Sequence, residues 1–340
     1  MLDISDKDTL TKYLKDRELI NDIDGYSIDY CKGGVSGTVA FVYSKDKPII
    51  IKQALEKLKT KETWLCDPNR MKIEYESNAI YHQLMPENAP AVYFYDDKNY
   101  IYGREAAPES CSMWKSDLLS GLLDFDVAKK AIDSLVTVHN ACANDTKTAL
   151  LFNDKKIFYD LRISPYIEFI VQKYPGLSEF AGSVSQELMD AKITLVHGDY
   201  SPKNIMVQGR RIWILDYEVA HYGHPAFDVA FFSNHFILKS IKNIEWAAAY
   251  INMLTFMLDL YFARMNHMDK KQMETCFVKT LSLLMIARVD GKSPAEYITE
   301  ESSKELIRKI AFTIIDKKIV RYDDVARLVL SYTDGKKQVL

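Results

Sequence analysis

No stretch of this 340-residue chain reaches the roughly 18 uncharged apolar residues that a membrane-spanning helix needs. The most apolar helix-like run, 247–263, carries Asp259. An apolar leader is missing as well, because the opening MLDISDKDTLTKYLKD is charged, which argues against a secretory signal. A basic excess is absent: 44 Lys+Arg stand against 47 Asp+Glu, a formal charge of −3. That balance gives no footprint for nucleic acid, although it leaves room for a local basic site facing an anionic ligand. Cysteine is sparse and dispersed. The five, Cys31, Cys66, Cys111, Cys142 and Cys276, form no CxxC pair, so free thiols in a reducing cytoplasm are expected. Internal repeats and low-complexity segments are also lacking. These absences point to a cytoplasmic protein with no nucleic-acid or membrane partner, and leave its oligomeric state open.

What is present is 48% hydrophobic and 27% charged, an ordinary composition with enough chain for one large domain or two medium ones. Residues 5–20 alternate with helical spacing. YSIDYCKGGVSGTVAFVYSKDKPIIIKQA then reads as strand, Gly-rich turn, strand, polar turn and strand. Asp67-Pro68 is positioned to cap a helix running through MKIEYESNAIYHQL, and AVYFYDDKNYIYGREAAP reads as two strands. From about residue 113 the spacing turns helical, in 125–142, 157–173, 242–266, 269–288 and 301–316, broken only by 193–223. The layout is α+β, with a β-rich lobe over 1–108 and a larger helical lobe over 109–340. Clefts between such lobes are favoured ligand sites.

The exception at 193–223 holds the densest chemistry. HGDYSPKN (197–204) places Asp199 five residues before Asn204, and Asp216 follows the apolar IWIL. Phosphoryl transfer from ATP needs this inventory. One carboxylate takes the hydroxyl proton, while a second carboxylate and an amide oxygen hold Mg²⁺ against the phosphates. Asp199 is the expected base, with Asn204 and Asp216 the metal ligands. Each alone reads as a turn or strand-end residue; the joint pattern does not.

HGDYSPKN followed by ILDYEVAHYGHPAFDVA resembles the aminoglycoside phosphotransferase and choline kinase superfamily. That resemblance implies a protein-kinase-like two-lobe fold, ATP and Mg²⁺ as cofactors, and a small-molecule hydroxyl as acceptor. IIIKQALEKLKTKETWLCDPNRMKIE is similar to the corresponding stretch of methylthioribose kinases, and so is DYEVAHYGHPAFDVA, where a Glu two after the metal Asp (here Glu218) is typical. The catalytic loop DYSPKN resembles the broader superfamily instead. The reaction is therefore clearer than its substrate, which stays open among a methylthioribose-like sugar, an amino alcohol and an aminoglycoside.

In the β-rich lobe Lys52 interrupts a buried strand, where an unpaired lysine is costly. In a kinase such a lysine binds the nucleotide phosphates and pairs with a helix Glu. Ile73, Ile80 and Leu84 mark an apolar face on the next helix that includes Glu76, so helix geometry favours Glu76 as the partner. The resemblance favours Glu74. GGVSG, with Gly34, Ser36 and Gly37, offers backbone N–H groups to phosphates. By resemblance, the backbone of Glu105 and Ala107 would meet the adenine edge.

The histidines read more blandly. His197 is suited to holding its loop, His139 to packing, and Asp228 to bracing the loop from an apolar segment. For the acceptor, Arg162 and Tyr166 beside Pro165 form one polar cluster and Arg288 with Asp290 another; either serves a polyol, amine or carboxylate. Tyr217 and Glu218 fit metal, substrate and structural roles alike. Two other classes compete: a metal-dependent hydrolase built from His197, Asp199, Asp216, His221, His224 and Asp228, and a nucleotide-binding protein without catalysis. The hydrolase leaves Lys52 and the β-rich lobe unexplained.

Overall fold

The computed structural model of the chain describes residues 2–21, 25–31, 37–44, 48–54 and 67–337. It divides into two units: Met1–Cys111 with Trp213–Val219, and Ser112–Ile212 with Ala220–Leu340. The sequence reading divided the chain once, at 108. It did not anticipate that a later segment returns to the first unit.

The first unit begins with helix α1 (Lys7–Asp16), whose N-terminal N–H of Thr9 is capped by Asp6 at 2.8 Å. Strands β1 (Tyr26–Tyr30), β2 (Gly37–Ser44) and β3 (Ile49–Ala54) follow, then α2 (Arg70–Leu84), β4 (Val92–Asp96) and β5 (Ile101–Glu105). The strands form one antiparallel sheet in the order β1-β2-β3-β5-β4. Leu10, Tyr13 and Leu14 of α1 cluster with Ile28, Ala40, Val42, Ile49, Ile51 and Ile101 on one sheet face. Helix α2 lies against β3, β4 and β5. Gly37 is required by close approach: a Cβ there would lie 2.6 Å from the Gln53 carbonyl oxygen across the ladder.

The second unit is mainly helical. Strand β6 (Ser112–Met113) leads into α3 (Trp114–Leu119), α4 (Phe125–Ala141), α5 (Thr146–Leu151) and α6 (Lys156–Phe158). Tyr159–Glu168 then forms a π-helix containing Pro165, followed by α7 (Phe169–Lys173) and α8 (Ser178–Asp190). Pro165, which would ordinarily break a helix, is absorbed by this widened turn, which tolerates a residue without an N–H donor. Strands β7 (Thr194–Val196), β8 (Ile205–Gln208), β9 (Arg211–Ile214), whose last two residues belong to the first unit, and β10 (His221–Gly223) come next. They make a β10-β7 pair and a β6-β8-β9 sheet. Helices α9 (Ala226–Lys242), α10 (Ala247–Arg264), α11 (Lys270–Asp290), α12 (Glu301–Asp316) and α13 (Tyr322–Lys337) complete the unit. Every residue from Ala226 to Ile241 is buried, so α9 is the core about which the other helices arrange. Among the described residues no helix is long and apolar enough to cross a membrane. The architecture is the α+β class expected.

Candidate active site

In the first unit the site starts from strand periodicity. All of β3 is buried, and alternate residues face opposite ways. Ile51 and Gln53 face the α1 side, where the Gln53 amide nitrogen donates to the Leu2 carbonyl at 2.6 Å and its oxygen accepts the Ile4 N–H at 3.0 Å. Lys52 faces α2. Its ammonium donates to both oxygens of Glu74, at 2.6 and 2.8 Å, and to Asp216 Oδ1 at 3.0 Å. Burial alone would discharge this lysine; the Asp216 and Glu74 charges prevail and hold it above the ordinary lysine range.

The partner is thus Glu74, and the expectation of Glu76 is corrected. Helix α2 buries Arg70, Met71, Glu74, Ser77, Asn78 and Tyr81, whereas Ile73 and Ile80 are half-buried and Leu84 is exposed. The apolar residues that suggested an inner face lie to its side, and the true inner face is largely polar. Asp67 also does not cap α2 directly. Asn69 holds that position, and Asp67 Oδ1 accepts the Asn69 N–H at 2.9 Å.

Asp216 sits at φ 70°, in the left-handed region, a conformation that costs a side-chain-bearing residue about 1–2 kcal/mol and that Asp tolerates better than most. Glu74, Asp216 and Glu218 bring carboxylate oxygens within 4.8 Å of one another. Glu218 is also paired with Arg70 at 3.2 Å. Burial, and next the Asp216 charge, push Glu218 up to about 7, with Lys52 and Arg70 opposing. Three hard oxygen donors around one point are the donor set that suits a divalent cation such as Mg²⁺.

The second unit, described by itself, contains the loop after β7. Gly198 takes φ 75°, and the turn so formed aims two successive N–H groups at one carboxylate. Asp228 Oδ2 accepts the His197 N–H at 2.7 Å, and Oδ1 accepts that of Gly198 at 2.8 Å. His139 Nε2 lies 3.2 Å from the same carboxylate, and its Nδ1 is 2.7 Å from the Tyr261 hydroxyl. His197 Nδ1 accepts the Asp199 N–H at 3.2 Å. Asp199, thus aimed, is held by Arg162 Nη2 at 2.9 Å and Lys203 Nζ at 2.8 Å. The Asn204 amide nitrogen donates to Asp199 Oδ2 at 2.7 Å and to its carbonyl at 3.0 Å. With that nitrogen committed, the Asn204 oxygen is the group left for a cation.

Residues 128–263 match the phosphotransferase enzyme family (APH). This segment is similar to that family. Methylthioribose kinase of Bacillus cereus (strain G9842) is 25% identical over 239 residues, which is 62% of this chain and 60% of that protein; the methylthioribose kinase of strain B4264 matches over the same share. The chain therefore spans about 60% of the length of the curated relatives it matches. Among solved structures, the choline kinase from Cryptosporidium parvum Iowa II is similar with TM-score 0.59 at 11% identity, covering 94% of this chain and 99% of that one. A choline/ethanolamine kinase family protein from Mesorhizobium loti has TM-score 0.52 at 12% identity over 95% and 99%. These likenesses show a kinase-like fold.

The matched segment contains Asp199, Asn204, Asp216 and Asp228. Outside its matched range, Gly34 and Ser36 lie beyond the described residues. Glu105 has its N–H bonded to the Ala91 carbonyl at 2.8 Å and its own carbonyl accepting from Arg104 at 2.8 Å, whereas the Ala107 backbone carries no hydrogen bond among the described residues. Arg162 is spent on the loop, donating to the Gly198 carbonyl at 2.7 Å. Tyr166 and Arg288, read as members of separate clusters, come within 3.5 Å. Asp290 turns instead to Arg308 and Lys173. The histidine–aspartate set proposed for a hydrolase does not assemble. His221 stacks on Phe158 at 3.9 Å, His224 Nδ1 accepts the Ala226 N–H, and Asp228 is spent on the loop.

Sequence reasoning assigned no role to Arg70, fully buried against Glu218, or to Lys203. The signal for Lys203 was its place four residues after Asp199. Nothing local marked Arg70, whose partner lies 148 positions away.

Proposed function

We propose that the protein is an ATP- and Mg²⁺-dependent phosphotransferase that moves the terminal phosphoryl group of ATP to a hydroxyl of a small molecule. The observation that carries this reading is the buried Lys52, held at once by Glu74 and Asp216. A charged lysine among three carboxylates, Glu74, Asp216 and Glu218, suits the joint binding of nucleotide phosphates and a divalent cation. Lys52 would hold the phosphates, aided by Gly34, Ser36 and Gly37, and the adenine would meet the chain at Glu105 and Ala107. Asp216 and Asn204 would hold Mg²⁺, with Glu218 beside them. When bound, the cation would neutralise charge on the phosphates.

Asp199 would accept the acceptor's proton as the hydroxyl oxygen bonds to phosphorus and the bond from phosphorus to the bridging oxygen of ADP breaks. Arg162, Lys203 and Asn204 restrict Asp199 to few orientations, which is what a positioned base requires. The relatives' names supply three acceptor classes to try: methylthioribose, amino alcohols and aminoglycosides.

Asp199→Asn preserves shape and removes the charge. Single-turnover phosphorylation should fall about 10²–10⁴-fold, while calorimetry should show ATP affinity little changed. A variant that phosphorylates as fast as the native chain would sink this mechanism. ATP binding with no ADP formation, whatever acceptor is added and in both proteins alike, would leave only nucleotide binding.

A further inference from the structure

The second unit contains a run of cations of which the reaction above uses only the two at Asp199. It begins at Asp199, where Arg162 and Lys203 converge, and continues along the inner side of α9. The Arg162 guanidinium stands 5.4 Å from the Phe231 ring and 5.8 Å from that of Tyr166. Tyr166 leads to Arg288, and the Phe231 ring, 5.4 Å from that of His235, leads towards Lys239. The Lys239 ammonium lies 5.1 Å from the Tyr297 ring, and Lys115 lies 5.9 Å from the same ring on the far side of the run.

Charge is poorly matched here. Arg162, Lys203, Arg288, Lys239 and Lys115 supply five positive groups. Against them, among the described residues, stand Asp199, and Glu296 paired with Lys115. Lys239 is fully buried, and its ammonium has a single hydrogen-bond partner among the described residues, the His235 carbonyl of its own helix at 3.3 Å. Arg288 is 8% exposed; its Nη1 is bonded to Ser293, and its Nε has no partner among the described residues. The Tyr297 hydroxyl likewise lacks one.

Burying cations without counter-charge is expensive. The strain shows in the neighbours. Burial first, then Lys115 and Arg288, pull Lys239 down to about 7, with Glu296 opposing. Burial would raise the Tyr166 phenol, yet Arg288, Arg162 and Lys203 carry it below its ordinary value. An apolar residue in place of Lys239 would remove the cost. A bound anion would also remove it, by donating the missing charge.

We propose that this run is the acceptor subsite, and that the acceptor carries an anionic group, a carboxylate or a phosphate, received by Lys239 and Arg288 while its hydroxyl meets Asp199. The proposal rests on the phosphotransferase reading. It separates the acceptor classes: choline and aminoglycosides are cations that this field repels, methylthioribose is neutral, and a hydroxy acid or sugar phosphate is favoured.

The test uses matched probes on the full chain at fixed ionic strength, by calorimetry without nucleotide: ribose 5-phosphate against ribose, gluconate against sorbitol, and choline. At least one anion should bind about 10-fold or more tightly than its neutral counterpart, the worth of a charge-assisted hydrogen bond. Lys239→Met and Arg288→Met should each erase that preference. The phosphate and carboxylate arms identify which group the subsite takes. Lys115→Gln, half-exposed at the end of the run, should weaken anion binding about 3-fold and serves if the buried variants do not fold. Equal binding of neutral and anionic partners, tighter binding of choline, no binding of either anion, or unchanged affinity in all variants would overturn the proposal. Phosphoryl transfer to neutral acceptors without anion preference would reject the anionic subsite and keep the kinase. Anion binding without transfer to any probe, with Asp199→Asn altering nothing, would reject the kinase and keep the subsite.

Discussion

At the scale of single residues, chemistry is decided by which of two similar side chains faces inward. Glu74 and Glu76 are two positions apart, about 200° around a helix, so only one can meet Lys52. Glu74 is fully buried and Glu76 half-buried. Glu74→Ala removes the bidentate partner of a buried ammonium and leaves Asp216 as its remaining carboxylate contact. The expected loss is about 2–4 kcal/mol of stability with weaker ATP binding, whereas Glu76→Ala should stay within about 0.5 kcal/mol. Urea denaturation and nucleotide calorimetry on the pair check this, and equal effects at both positions would reject the assignment. Asp216 shows a different residue-scale compromise. Its left-handed backbone is sterically unfavourable, yet that conformation carries its carboxylate to Lys52.

At the scale of elements, the loop after β7 is braced by the first turn of α9. Asp228 gathers the N–H groups of His197 and Gly198 and the ring of His139 on one buried carboxylate. Burial would raise that carboxyl, but His139 and the loop hold it below the usual carboxylate range, and it stays charged. Asp228→Asn turns an amide N–H₂ against one of these donors. It should cost about 2–4 kcal/mol and speed hydrogen exchange at His197 and Gly198. An unchanged denaturation midpoint would show that the loop does not depend on this brace. The strands, the polar turn between β4 and β5, and helices α4, α10, α11 and α12 were legible from periodicity; α9 and α13 were not. The π-helix was not, because Pro165 signals a break, and only the surrounding contacts decide whether the chain stops or widens there.

At the scale of the whole molecule, a chain with almost no net charge distributes its charges unevenly. One concentration ties α7, α11 and α12: Asp290 accepts from Arg308 at 2.9 and 3.0 Å, from Tyr174 at 2.8 Å, and is paired with Lys173. Burial would raise its carboxyl, but Arg308, Lys173 and Tyr174 hold it down at about 2. A folded value below that of the unfolded chain means that this contribution is complete above about pH 4. It is lost as pH falls through 2. Solvent screening at the partly exposed partners trims it to about 1 kcal/mol. Asp290→Asn should therefore lower stability by about that amount at pH 7 and by almost nothing at pH 2. A deficit that persists undiminished in acid would trace to packing instead.

Local pattern was enough to reveal the α+β class, the strand order of appearance, the HGD loop with Asp199 and Asn204, and the lysine in β3, because periodicity and motif spacing are properties of neighbouring residues. Distant pairings were not readable in this way. Lys52 meets Asp216 across 164 positions, Arg70 meets Glu218 across 148, and Tyr166 meets Arg288 across 122. The choice of Glu74 over Glu76, the return of Trp213–Val219 to the first unit and the cation run along α9 depend on the same fact. A helix's inner face is whichever side its partners occupy, and those partners are set by chain closure over long separations, which no local spacing encodes.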